Sequence, residues 1–105
     1  MSDLIASLKR PGRVPDHAAA IAILVQPVLN ELIGTNAVPV SLSIEFGSAV
    51  VPDESVEIDA QIARGTRTLV FVQARVTKAS GQLAADVSAI FRRQIDLKMG
   101  VEGMG

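Results

Sequence analysis

Cysteine is absent from the 105 residues, and so are tryptophan and tyrosine. The first absence excludes disulfides, thiolate metal ligands and cysteine nucleophiles together, and makes a cytosolic setting the simplest expectation. The second leaves Phe46, Phe71 and Phe91 as the whole aromatic inventory, so the core is expected to consist of Ala, Val, Ile and Leu. A basic surplus is also missing. Ten Lys and Arg stand against eleven Asp and Glu, a net charge of −1, which argues against nucleic acid as the main partner. The longest uninterrupted apolar run, Ala18 to Val25, falls far short of the roughly 20 residues that span a bilayer, so no membrane partner is expected. Asp3 comes early, and Lys9 and Arg10 follow the short apolar patch rather than preceding it. That is the reverse of a secretory signal, and a cytoplasmic chain is expected.

What remains is 49% apolar and 20% charged, the balance of a soluble globular protein in one domain spanning 1–105. A chain this small leaves much of its surface exposed, and part of the apolar excess is expected to lie in a subunit contact.

Residues 1–15 read as an N-terminal segment and loop, with Pro11, Gly12 and Pro15 as breakers. Asp16 suits a helix N-cap, residues 16–34 read as a central helix, and Gly34 suits the position just past its end. The helix is apolar on nearly every side until Gln26, Asn30 and Glu31, the pattern of a buried helix, and Pro27 removes one of its hydrogen bonds. After Pro39 the period changes to two. Four strands follow over residues 38–95. Val40, Leu42, Ile44 and Phe46 alternate with Ser41, Ser43 and Glu45; Val56, Ile58, Ala60 and Ile62 alternate with Glu57, Asp59 and Gln61. Val70, Val72, Ala74 and Val76 form the apolar face of the third strand, and Leu83, Ala85, Val87, Ala89 and Phe91 that of the fourth. The glycines at 65 and 81 mark hairpins, so the last three strands form an antiparallel meander. A sheet and a helix that each carry apolar surface bury it by wrapping one around the other, an α+β architecture. The tail at 96–105 is glycine-rich and is expected to be flexible.

This order of motifs resembles the hotdog fold. The carriers are the Ser41 to Phe46 strand, Pro52-Asp53 ahead of an alternating strand, the run from Ala63-Arg64-Gly65-Thr66-Arg67 to Val76, the Gly81 turn, and Leu83-Ala84-Ala85 continuing to Phe91. Within that fold, residues 12–93 are similar to acyl-CoA thioesterases of the phenylacetate-pathway (PaaI-like) type. The resemblance implies a homodimer joined edge to edge, or a homotetramer built from it, and an acyl-CoA substrate whose coenzyme A is part of the substrate rather than a bound cofactor.

Active relatives carry His-Gly-Gly at the start of the buried helix and an Asp or Glu about nine residues later. The first-turn amides polarise the thioester carbonyl and the carboxylate activates water. Carried onto this chain, His17 matches the His, Ala18 and Ala19 replace the glycines, and Gln26 stands where the acid belongs. A gapless count from the following strand lands near Ile23 instead, again without an acid. Glu31 is then the substitute base within the helix, and Ser43 matches a Ser or Thr that helps hold the water. Arg64, Gly65, Arg67 and Arg92 are candidates for the phosphates of coenzyme A, since guanidinium suits phosphate; Arg75 and Arg93 belong to the same set. The bland alternatives are a capping His17, an interfacial Gln26 and arginines that blunt a sheet edge. With a single His, no metal site is expected. Two functions follow: hydrolysis of an acyl-CoA thioester, or a non-catalytic hotdog that binds acyl-CoA or serves as an assembly partner because the helix carboxylate is missing.

Overall fold

The computed structural model of the protein describes residues 6–34 and 36–94. It contains strands β1 (Ser7–Arg13), β2 (Ala37–Phe46), β3 (Ser55–Gly65), β4 (Leu69–Lys78) and β5 (Leu83–Arg93), and one helix, α1 (Ala20–Ile33). Every pairing is antiparallel, in the order β1-β3-β4-β5-β2. The helix packs on one face of this sheet, and the arrangement is the hotdog fold.

The period-two reading gives the inner face directly. Val56, Ile58 and Ala60 of β3, Val70, Val72, Ala74 and Val76 of β4, and Ala85, Val87, Ala89 and Phe91 of β5 are all buried. Against them lie Ala20, Ile21, Val25, Val28 and Leu29 of α1. No polar side chain is buried among the described residues. With Phe91 as the one buried aromatic ring, Ala60, Ala74, Ala85 and Ala89 bring the helix close to the sheet where larger side chains would hold it off. The outer face is polar across its middle, with Leu69, Phe71 and Ile90 toward one end. Lys9, Asp59, Arg75, Asp86 and Glu45 lie opposite one another across all five strands.

Four expectations need correction. The segment read as a loop at the N-terminus is β1, paired to β3 from Ser7 opposite Gln61 to Arg13 opposite Ser55. It tolerates Pro11 because an edge strand leaves one side of its backbone without a partner strand. Gly12 leaves room there: a Cβ at this position would lie 2.9 Å from Leu24 Cδ2 and 3.1 Å from Ile58 Cδ1, so those side-chain ends would have to move. The helix starts at Ala20, not at 16 or 17, because the preceding residues form a separate turn. Asp16 is therefore not its N-cap. The helix is also not buried all round: Ile23, Gln26, Pro27, Asn30 and Glu31 are exposed. Gly34 does end it, at φ +87°, and Gly81 turns the last hairpin at φ +95°. The tail expected to be flexible lies outside the described residues.

Strand β2 is the second edge of the sheet. Its register against β5 shifts between Pro39 and Ser41, leaving Val40 as an extra residue in a bulge. Among the described residues, no helix is long and apolar enough to cross a membrane.

Candidate functional site

The approach to α1 is held by a few backbone bonds. Val14 donates its amide to the Glu54 carbonyl (2.9 Å) and accepts from the Asp53 amide (2.6 Å), which pins the chain beside the β2–β3 connection. The His17 amide then donates to the Pro15 carbonyl (3.0 Å), a tight turn with Asp16 at its apex. His17 closes the helix start twice over. Its carbonyl accepts from the Ala20 amide (3.1 Å), and its Nδ1 accepts from the Ala19 amide (2.9 Å).

A helix leaves its first amides without intrahelical partners. Here those of Ala19 and Ala20 go to His17, while those of Ala18, Ile21 and Ala22 make no hydrogen bond to a described residue. They lie along a groove of about 700 Å³ that runs from Val14 to Ala22 on one side and from Ile44 to Pro52 on the other. Its walls are mostly apolar. Phe46, at the end of β2, lines it and is 73% exposed. Of the paired amides expected to hold a carbonyl, Ala18 is open and Ala19 is taken.

Gln26 is not in this groove. It lies six residues beyond Ala20, about 9 Å further along the helix axis, and lines a second cavity of about 150 Å³ with Asn30, Pro39 and Ser41. Glu31 is elsewhere again. Both its oxygens accept from Arg10 of β1, at 2.6 Å from Nη2 and 3.2 Å from Nε. That hydrogen bonding, helped by the opposite charge, holds the carboxyl below its ordinary range and makes it a poorer base. Ser43 pairs with Ser88 on the outer face of the sheet, away from the helix, so one chain offers it no place beside a groove water.

The arginines gather at the far end of the sheet. The Arg64 guanidinium lies over the Phe71 ring at 5.1 Å from its centroid. Arg93 donates through Nε to the Thr66 carbonyl (3.1 Å), and a Cβ on Gly65 would lie 2.9 Å from Arg93 Nη2. Gly65 thus makes room for an arginine. Arg92 sits opposite Leu69 and Val38, with Arg67 in the intervening hairpin. Arg92 lies eight positions along β5 from Ala84, which lines the groove, a span of about 26 Å along an extended strand. Arg75 is apart from this group, in the outer-face row.

Sequence reasoning passed over one residue. Asp16, assigned to capping, lines the groove with an exposed carboxylate that bonds to no described residue. The signal was the adjacent His17, whose ring competes for the amide a cap would take.

A family model described as the thioesterase superfamily matches residues 14–85. The chain belongs to the thioesterase superfamily. No curated protein matches this superfamily member in sequence. Among solved structures it is similar to thioesterase superfamily member 2 from Mus musculus (TM-score 0.73, 21% identity, covering 82% of this chain and 74% of that one). It is also similar to a hypothetical thioesterase from Streptococcus pneumoniae solved with coenzyme A (TM-score 0.72, 14% identity, 83% and 77% covered). An (R)-hydratase from A. caviae involved in PHA biosynthesis superposes equally well (TM-score 0.76, 13% identity, 89% and 99% covered). At such identities the likeness shows the fold, and the chemistry rests on this chain's own residues.

Proposed function

We propose that the protein binds an acyl-CoA thioester and hydrolyses it, with the groove at the start of α1 as the acyl-thioester site. The observation that carries this reading is the placement of the Ala18 amide, which bonds to no described residue, in an apolar groove beside the helix start. A thioester carbonyl seated there gains a hydrogen bond that strengthens as charge builds on its oxygen. Phe46 at the end of β2 lines the groove, and the reading includes a homodimer, or a tetramer built on it, formed by pairing β2 with β2 of a second copy in the cytoplasm. Ile23, Val38, Val40 and Phe46 are between 37% and 73% exposed along that side, the apolar surface such pairing would cover.

Antiparallel pairing about a two-fold axis sets the Ala37 end of one β2 beside the Phe46 end of the other. It carries Gln26 and the Arg92 end of one copy toward the groove of the other. Strands lie about 4.8 Å apart, so Arg92, one strand in from β2, comes about 10 Å from the neighbouring Phe46. Arg64, Gly65, Arg67 and Arg92 then form the candidate phosphate site across the interface, with Gly65 acting through Arg93. The test is release of free thiol from short, medium and aryl acyl-CoAs. Turnover above buffer with at least one substrate is expected, and none with any of them would contradict the proposal.

A second reading, a non-catalytic hotdog that binds acyl-CoA or serves as an assembly partner, is favoured by Gln26, an amide that accepts no proton. Gln26→Asp separates the two. A non-catalytic scaffold gains thiol release when the carboxylate is restored, whereas an enzyme whose base lies elsewhere changes little.

A further inference from the structure

The face of the sheet turned away from α1 is divided along the strands. At one end Arg64, Phe71 and Ile90 lie side by side across β3, β4 and β5, with Leu69 opposite Arg92 beyond them. An uncharged row crosses the middle, formed by Gln61, Gln73, Ser88 and Ser43. Past it comes the charged row of Lys9, Asp59, Arg75, Asp86 and Glu45, followed by Glu57. The first end of this face thus carries two arginines and no acid, whereas the other carries four acids against one lysine and one arginine. Neighbours in the charged row stand in register, yet none forms an ion pair with another. Where this row meets the uncharged one lies a depression of about 330 Å³, lined by Asp59, Gln61, Gln73, Ala74, Arg75 and Asp86.

A face charged in this way is complementary to itself when turned end for end. A two-fold axis lying along the uncharged row brings a second copy face to face with the first and sets each strand over its own counterpart, reversed in direction. The rows on either side of the axis then exchange places. Arg64 comes over Asp59 of the second copy, since both lie on β3, and Phe71 comes over Arg75, since both lie on β4. The ring enters the depression beside a guanidinium, which an aromatic face attracts. Gln61, Gln73 and Ser88 meet their own counterparts on the axis, where amides and hydroxyls can each donate and accept. Facing sheets pack about 10 Å apart, a gap that side chains fill from both sides. An axis along β4 would instead set Asp59 over Asp86, like charge against like.

We propose that this outer face is a second interface between copies of the chain, stacked about the row of Gln61, Gln73 and Ser88. It rests on the β2 pairing proposed above, whose axis stands normal to the sheet, so that the two axes are perpendicular and close the assembly at four chains. Exposed ion pairs are individually weak. The stack therefore holds between dimers, each of which presents the face twice, and not between single chains. Arg64 keeps donors for a phosphate beside the carboxylate, because a guanidinium carries five N–H groups.

The experiment is sedimentation equilibrium of wild type, Arg64→Asp, Asp59→Arg and the double variant with both changes, with circular dichroism as the check on folding. Wild type is expected at the mass of four chains. Each single reversal is expected at two, because it sets like charges against one another, and the double variant is expected to return to four. Raised salt is expected to carry wild type from four chains toward two, since it screens exposed charges. A wild-type mass of two chains would overturn this inference and leave the β2 pairing standing. So would four chains in both single reversals, or a double variant that stays at two. A wild-type mass of one chain would overturn both.

Discussion

The two edges of the sheet are built differently. At β1 the edge is finished: Pro11 breaks its outer hydrogen-bonding row, Lys9, Arg10 and Arg13 put charge along it, and the Arg10–Glu31 pair ties it to the helix. Gly12 lets Leu24 and Ile58 close over the strand from inside. These are devices by which sheets avoid pairing with strangers. At β2 the protection is confined to Pro39 and the bulge beside it, and no charged residue comes before Glu45. Val38 and Val40 are exposed on it, Phe46 stands out at its end, and Ile23, Gln26 and Asn30 of the helix are open alongside. One edge of a small sheet is charged and tied to the helix, and the other leaves apolar side chains exposed beside the groove.

The comparison can be broken most decisively at β2. Val40→Glu with Phe46→Glu is expected to convert the assembly wholly to single chains, read by light scattering, with the circular dichroism of the fold retained; an unchanged mass would place the contact elsewhere. At β1 the effect is expected on stability and not on assembly. Gly12→Val pushes into Leu24 and Ile58, and overpacking of this kind costs about 1–3 kcal/mol, read as a fall in midpoint during thermal melting with the assembled mass intact. A mass change in that variant would remove the distinction between the edges.

The smallest effect belongs to the Arg10–Glu31 pair, because both side chains are about half exposed and solvent screens them. Glu31 has its carboxyl pKa lowered in the folded state, first by the hydrogen bond from Arg10 and then by its charge. Its stabilisation is therefore present above the unfolded carboxyl value of about 4.3 and is lost as pH falls through the lower folded value. Glu31→Gln is expected to melt slightly below wild type at neutral pH and to match it in acid, and added salt is expected to shrink the gap.

Much of the fold was legible because period two is a strong signal. The inner faces of β3, β4 and β5 follow from the alternation of Val, Ile and Ala with polar residues, and the glycines at 34 and 81 mark real positive-φ turns. β1 was not legible. Its Pro11 and Gly12 have the composition of a loop, and only pairing with β3 makes them a strand. The site was read less well for a related reason. Spacing along the chain joined His17, Gln26 and Ser43, but helix rise and sheet pleat send them to the groove, to a separate cavity and to the opposite face. The loop that gives Asp16 its place depends on an imidazole accepting one backbone amide, a choice that no pattern of residue types encodes.

Sedimentation equilibrium of the wild-type protein at micromolar concentration tests the central claim most directly, that the apolar β2 edge is one half of an interface. The chain weighs 11.0 kDa. The account predicts a mass of two or four chains that falls to one in the Val40→Glu, Phe46→Glu variant, and a wild-type mass of 11.0 kDa would contradict it.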